Sequence, residues 1–103
     1  MSRYQTIRIG AEEMRRRFNE AGFLEPEEHG YIAIPEPGGP PGPNAPEDAF
    51  RSRIIVYLDR FGNPVAEAHE FIRADGSRAA SGMPDPKRLI DGKRRYVLRK
   101  GSG

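Results

Sequence analysis

Hydrophobic and polar residues alternate along several short segments of the chain, and this alternation predicts β-strands. The longest such segment is residues 64–73. One of its faces carries Ala66, Ala68, Glu70 and Ile72, and the other carries Val65, Glu67, His69, Phe71 and Arg73. Residues 52–58, rich in β-branched and aromatic side chains, predict a partner strand across a turn at 59–63. Shorter strands are predicted at residues 4–9, 31–34, 77–81 and 94–99.

A helical period replaces this alternation in residues 11–21. Apolar side chains recur there on one stripe, at Ala11, Met14, Phe18 and Ala21. Gly22 follows the stripe, as expected of a helix that ends in a left-handed residue. Residues 87–90 follow neither period clearly, and a single helical turn is the expectation there.

Proline and glycine interrupt the pattern in residues 35–48, where six of the residues are Pro and three are Gly. This composition predicts a flexible loop of polyproline character. Residues 1–103 are short enough for a single domain. The predicted fold class is therefore α+β: an antiparallel sheet of four to six strands, with one N-terminal helix packed on one face and the long Pro/Gly-rich loop.

The composition excludes several classes of protein. Cysteine is absent, which excludes disulfide scaffolds and cysteine-based zinc sites or nucleophiles. No apolar run approaches the length that spans a bilayer, and the N-terminal residues lack the apolar core of a signal peptide. We therefore expect a cytoplasmic protein with no membrane association, no cofactor and no metal.

Charge is distributed unevenly along the chain. Residues 1–50 carry a formal charge of −4 and residues 51–103 a charge of +6. The excess of positive charge in residues 51–103 predicts a basic surface that binds an acidic macromolecule, either a nucleic acid or an acidic protein. Its predicted residues are Arg73, Lys87, Arg88, Lys93, Arg94, Arg95, Tyr96, Arg99 and Lys100. Tyr96 would supply base stacking to a nucleic acid. The alternative is that these cations only protect a solvated edge strand.

One histidine lies beside carboxylates within a predicted strand. His69 is flanked by Glu67 and Glu70, and a histidine next to a carboxylate can act as a general base. These three residues are the candidate catalytic set. The alternative is a half-buried sheet histidine without catalytic function. Ser77 and Ser81 lie among small residues, but they lack the Gly-x-Ser-x-Gly context of a nucleophilic serine.

Three functional hypotheses follow. The leading one is a small non-enzymatic binding or regulatory protein, of a size common among bacterial and phage regulators. The second is a toxin-like ribonuclease that uses the His–carboxylate pair and a basic strand. The third is a structural or assembly subunit, with a homo-oligomer possible and an interface formed by Met14, Phe18, Ile55 and Tyr57.

Overall fold

The computed structural model describes residues 4–79 and 82–100. Within them the chain forms one α-helix and six strands, with a 3₁₀ helix at Pro26–His29. The elements in chain order are β1 (Gln5–Ile9), α1 (Ala11–Glu20), β2 (Ile32–Pro35), β3 (Arg51–Leu58), β4 (Pro64–Ile72), β5 (Asp85–Asp91) and β6 (Arg94–Leu98). The α+β class and the N-terminal helix are confirmed, and five of the predicted strands agree with the structure to within one residue at each end.

All six strands belong to one open sheet, in the order β1-β6-β5-β4-β3-β2. Neighbouring strands from β2 to β6 pair antiparallel, whereas β1 pairs parallel with β6 and places Ile7 opposite Tyr96. The sheet is therefore mixed. Because β1 covers the outer side of β6, the basic strand β6 is internal, and edge protection does not explain its cations.

The core lies between α1 and the sheet. Met14 and Phe18 are buried on the sheet-facing side of the helix, as the apolar stripe predicts. The Phe18 ring lies edge-on to that of Tyr57, with 5.4 Å between centroids, and Phe23 lies 5.3 Å from the same tyrosine. The predicted oligomer interface is wrong, because its four residues are at most 4% exposed and fill this core.

Gly22 ends the helical region in the left-handed conformation, with φ of 91°. The prediction from sequence is confirmed at this position. A side chain at Gly22 would also meet the ring of His29, so the close approach of the 3₁₀ helix favours glycine as well.

Strand β5 corrects one expectation, because residues 87–90 are extended and not helical. Its pairing with β4 is irregular: Ala68 lies opposite Pro86, and Glu67 lies opposite Arg88. Lys87 is the extra residue of this bulge, next to a proline that cannot donate to a neighbouring strand. The strand predicted at 77–81 is reduced to one bridge between Arg78 and Ile72, while Ala80 and Ser81 lie outside the described residues.

The beginning of the Pro/Gly-rich segment lies against β3. Gly39 and Ser52 exchange two backbone hydrogen bonds of 2.9 Å each, and the Arg51 side chain donates to the Pro37 carbonyl. This segment therefore continues the edge that β2 begins.

Helix α1 lies on one side of the sheet, mainly over β5 and β6. Within the described ranges, no helix packs against the opposite side, which we call the open face. No helix in this part of the chain is long and apolar enough to cross a bilayer.

Candidate functional site

One row of side chains crosses all six strands on the open face. From β2 to β1 the row consists of Ile34, Val56, Glu67, Arg88, Val97 and Arg8. Alternate residues of a strand point to opposite sides, so these side chains share the face away from α1. The row combines aliphatic residues with two arginines on the β1 side of the sheet.

Further cations surround the two arginines of this row. Arg8 and Arg88 are exposed, and Arg95 lies on the strand between them with its guanidinium bonded to Thr6 Oγ1 at 2.8 Å. Lys87 donates to the Asp85 carboxylate at 2.8 Å. The basic cluster, defined as Arg8, Lys87, Arg88 and Arg95, shares the open face with the carboxylates of Glu67 and Asp85.

Aliphatic side chains fill the rest of this face. They come from β3, β4, β5 and β6 and are only partly buried: Ile54, Val56, Leu58, Val65, Ile90 and Val97. On edge strand β2, Ile32 and Ile34 are 55% and 45% exposed. Partly exposed apolar side chains grouped on one side of a sheet, together with charged ones, are typical of an interaction site.

Other predicted binding residues lie elsewhere. Lys93 and Arg94 are exposed at the β5–β6 turn, and Arg99 and Lys100 are exposed after β6. Arg73 pairs with Asp48 at 2.5 Å. These cations do not join the basic cluster.

Tyr96 does not lie on the basic surface. Its side chain is 2% exposed and faces the core, where the Arg17 guanidinium covers its ring at 4.2 Å from the centroid. A ring buried in this way cannot stack on a nucleobase, so the aromatic support for nucleic-acid binding is lost at this position.

His69 lies on the open face, and its nearest polar partner is Ser52 on β3. The Ser52 Oγ and His69 Nε2 atoms are 2.5 Å apart. Glu67 shares this face, but Glu70 points to the opposite side, so the structure does not bring all three candidate catalytic residues together. The Phe71 ring meets the imidazole edge-on, 4.6 Å between centroids.

The surroundings of His69 favour its neutral form. Burial lowers the pKa of the imidazole below its ordinary value of 6.5, and the positive charge of Lys87 lowers it further. Asp85 and Glu70 oppose the shift without reversing it. A neutral imidazole can accept a proton near neutral pH, which is the first requirement of a general base.

The Ser52–His69 pair is incomplete as a nucleophilic dyad. Across the strands His69 faces Asp85, whose carboxylate is bound by Lys87. Among the described residues no carboxylate hydrogen-bonds His69 Nδ1, although such a bond orients the base in serine hydrolases. No three acidic or histidine side chains in this part of the chain lie close enough to hold a metal ion.

Sequence reasoning missed the partners of Glu70. The Glu70 side chain is 3% exposed and accepts from Arg53 Nε and Arg78 Nε, each at 2.6 Å. A buried carboxylate requires such pairing, so the position of Glu70 on the apolar face of the predicted strand was the available signal. Which cations pair with it depends on strand register, which alternation alone does not give.

Comparisons of this chain with family models, with curated proteins and with solved structures found no match. The functional conclusion therefore rests on the arrangement of its own residues.

Proposed function

We propose that this chain is a small cytosolic, non-enzymatic binding protein that docks an acidic protein partner on its open face. The observation that carries the proposal is the position of Arg8, Arg88 and Arg95. They come from three adjacent strands, β1, β5 and β6, and lie on the one side of the sheet that α1 leaves uncovered.

The charge of this face selects an acidic partner. Four cations of the basic cluster meet two carboxylates, Glu67 and Asp85, which leaves a formal charge of +2. Opposite charges on the two sides of an interface raise the rate of association, and like charges weaken the binding of other proteins. Arginine is also enriched at protein interfaces, where its planar guanidinium binds carboxylates in a bidentate manner.

The size of the face fits a protein partner. Six strands at about 4.8 Å spacing, with the central strands about 25 Å long, give a face of roughly 600 Å². A standard protein interface buries about 800 Å² on each partner. The loops at the rim of the sheet can supply the remaining contact area.

The side chains on this face favour a protein over a nucleic acid. It carries aliphatic side chains throughout: Ile54 and Val56 lie on β3 beside edge strand β2, and Ile90 and Val97 lie among the arginines of β5, β6 and β1. Aliphatic groups gain from burial against another apolar surface, whereas single-stranded nucleic acids need aromatic platforms. Phe71 beside His69 is the one ring among the described open-face positions of β3 to β6.

A random-peptide display selection on the immobilised protein tests the proposal. We expect the selected peptides to be enriched in Asp and Glu together with aliphatic residues. Binding should be lost in the triple variant Arg8→Glu/Arg88→Glu/Arg95→Glu. The matched control Arg15→Glu/Arg16→Glu/Arg60→Glu reverses three exposed cations on α1 and the β3–β4 turn and should retain binding.

Two results would contradict it. One is a failure of the peptide experiment: either the selected peptides show no acidic enrichment, or they bind the open-face triple variant as tightly as the wild type. The other is tight binding of a single-stranded oligonucleotide that depends on the same three arginines, with an affinity that falls steeply as salt rises, which would identify a nucleic-acid surface.

A second candidate function is cleavage of RNA, which the Ser52–His69 contact favours. With its Nε2–H donated to Ser52 Oγ, His69 would take the 2′-hydroxyl proton at Nδ1 while the 2′-oxygen attacks phosphorus. The bond from phosphorus to the 5′-oxygen breaks, and that oxygen takes a proton from water. Lys87 and Arg88, next to His69 on β5, would stabilise the charge that develops on the phosphoryl oxygens.

An RNA-cleavage assay separates this candidate from binding alone. Cleavage should leave a 2′,3′-cyclic phosphate and be abolished by His69→Gln, while His29→Gln, outside the open face, should retain it. A wild-type protein without activity, or activity that His69→Gln leaves intact, removes the candidate.

A further inference from the structure

A second basic site lies on the α1 side of the sheet, away from the open face. Helix α1 covers mainly β5 and β6, and the sheet beyond it forms the floor of a shallow cavity of about 320 Å³ that is open to solvent. Polar groups line one part of the cavity and apolar groups the other: Arg53, Glu70 and Arg78, against Pro35, Ile55 and Ile72. Binding sites for small molecules commonly combine an apolar wall with a few fixed polar groups in this way.

The buried carboxylate of Glu70 holds the two guanidinium groups in place. Arg53 Nε binds one carboxylate oxygen and Arg78 Nε binds the other, and the arginine side chains remain 30% and 40% exposed. Within residues 4–79 and 82–100, the side-chain hydrogen bonds of both arginines go to Glu70 alone. Since a guanidinium has five N–H donors, each arginine retains donors for an anion in the cavity.

A third arginine lies on the same face. Arg51 and Arg78 are both opposite Ile72, on either side of it. The exposed Arg51 side chain lies beside the residues that line the cavity and donates to the Pro37 carbonyl. The cavity lining itself carries a formal charge of +1, from Arg53 and Arg78 against Glu70, and the adjacent Arg51 raises the formal charge of this patch to +2. The Asp75 carboxylate accepts from the Ser77 backbone and hydroxyl and does not line the cavity.

We propose that this cavity binds the phosphate-monoester group of a small organic molecule. A phosphate monoester carries a charge of about −1.5 to −2 at neutral pH, which matches the excess of this patch better than a single carboxylate does. Its oxygens accept from the guanidinium groups of Arg53 and Arg78, and its organic part contacts the exposed side chains of Ala33 and Pro35. Glu70 orients the two arginines before the ligand arrives, which lowers the entropic cost of binding.

Titration of the protein with phenyl phosphate, followed by calorimetry and NMR, tests this site. We expect saturable binding that shifts the side-chain signals of Arg53 and Arg78. The variant Arg51→Gln removes a cation that does not support Glu70, so it should fold normally and weaken binding about tenfold. The control Arg60→Gln, in the β3–β4 turn, should bind like the wild type.

A second ligand and a second variant make the outcome decisive. Benzoate, a monoanion with the same ring, should bind more weakly than phenyl phosphate. Arg78→Lys keeps the charge but loses the planar fork and should also weaken binding. No saturable binding of phenyl phosphate, benzoate binding as tight as phenyl phosphate, or wild-type affinity in Arg51→Gln would overturn the proposal.

This site is independent of the open face. The triple variant Arg8→Glu/Arg88→Glu/Arg95→Glu should bind phenyl phosphate with wild-type affinity, because its three positions lie on the other side of the sheet. If that variant loses phenyl phosphate binding, the ligand occupies the basic cluster and the cavity is not the site.

Discussion

The Ser52 hydroxyl and the His69 imidazole lie 2.5 Å apart on adjacent strands of a face that no helix covers in the described part of the chain. Burial and Lys87 lower the pKa of this imidazole. The same contact can serve a structural role, by satisfying two polar groups within the sheet, or supply a neutral base at a binding surface. Either role makes the protonation of His69 measurable through stability.

The free energy of unfolding should fall as the pH drops below 6.5. His69 is harder to protonate in the folded protein than in the unfolded chain, so the unfolded chain binds more protons in the range between its two pKa values. The contribution of His69 is complete above the ordinary value of 6.5 and is lost as the pH falls through the lowered value. Urea denaturation at a series of pH values measures this slope.

The variant His69→Gln supplies the comparison for this slope. It removes the titrating group but can still hydrogen-bond Ser52, so its stability should change less than that of the wild type just below pH 6.5. Asp85, Lys87 and Ser52 lie near His69, and Glu70 acts on its charge from the other side of the sheet; all four are retained in the variant. Equal slopes for the two proteins would show that the imidazole titrates normally.

The two arginines that bind Glu70 should act cooperatively in stability. Either Arg53→Gln or Arg78→Gln leaves the carboxylate with one charged partner, and we expect each to cost about 1–2 kcal/mol because both arginines are partly exposed. The double variant leaves the carboxylate buried without a charged partner and should cost more than the sum. Chemical denaturation of the wild type, the two single variants and the double variant measures the coupling energy. Strictly additive losses of stability would contradict the expected cooperativity.

The faces of α1 and β4 could be predicted from sequence because each follows one clear period. The alternation in β4 correctly grouped Ala66, Ala68 and Ile72 on one face, which the structure buries in the core, and His69 on the other. The stripe of α1 likewise identified Met14 and Phe18 as buried. In both elements the pattern depends only on local geometry, which sequence spacing reports directly.

Strand β5 and the site contacts depend on features that no local period encodes. Pro86 and the bulge at Lys87 break the alternation of β5, so its residues did not resemble a strand. The Ser52–His69 contact requires the register of β3 against β4, and that pairing has its own irregularity at Leu58. The partners of Glu70 are set by the same register together with the bridge of Arg78.

Gly38 should be essential for the position of the Pro/Gly-rich segment against β3. Its φ is 72°, and a Cβ atom there would collide with the Ser52 carbonyl and the Arg53 side chain. Gly38→Ala is therefore expected to cost about 1–2 kcal/mol and to increase proteolysis within residues 35–48. Gly42→Ala, in the same segment, meets nothing within 4 Å and should leave stability nearly unchanged. Equal susceptibility of both variants to protease would contradict this prediction.

Tyr57 should make the protein sensitive to alkaline pH. Burial among the core rings raises the pKa of its hydroxyl to about 12, from an ordinary value of 10.0. Between these values the folded protein retains a proton that the unfolded chain releases, so the free energy of unfolding falls as the pH rises through this range. The two-unit shift corresponds to a loss of about 2–3 kcal/mol. Denaturation of Tyr57→Phe at the same pH values should show a correspondingly flatter slope. A wild-type slope in Tyr57→Phe would show that Tyr57 does not carry the effect.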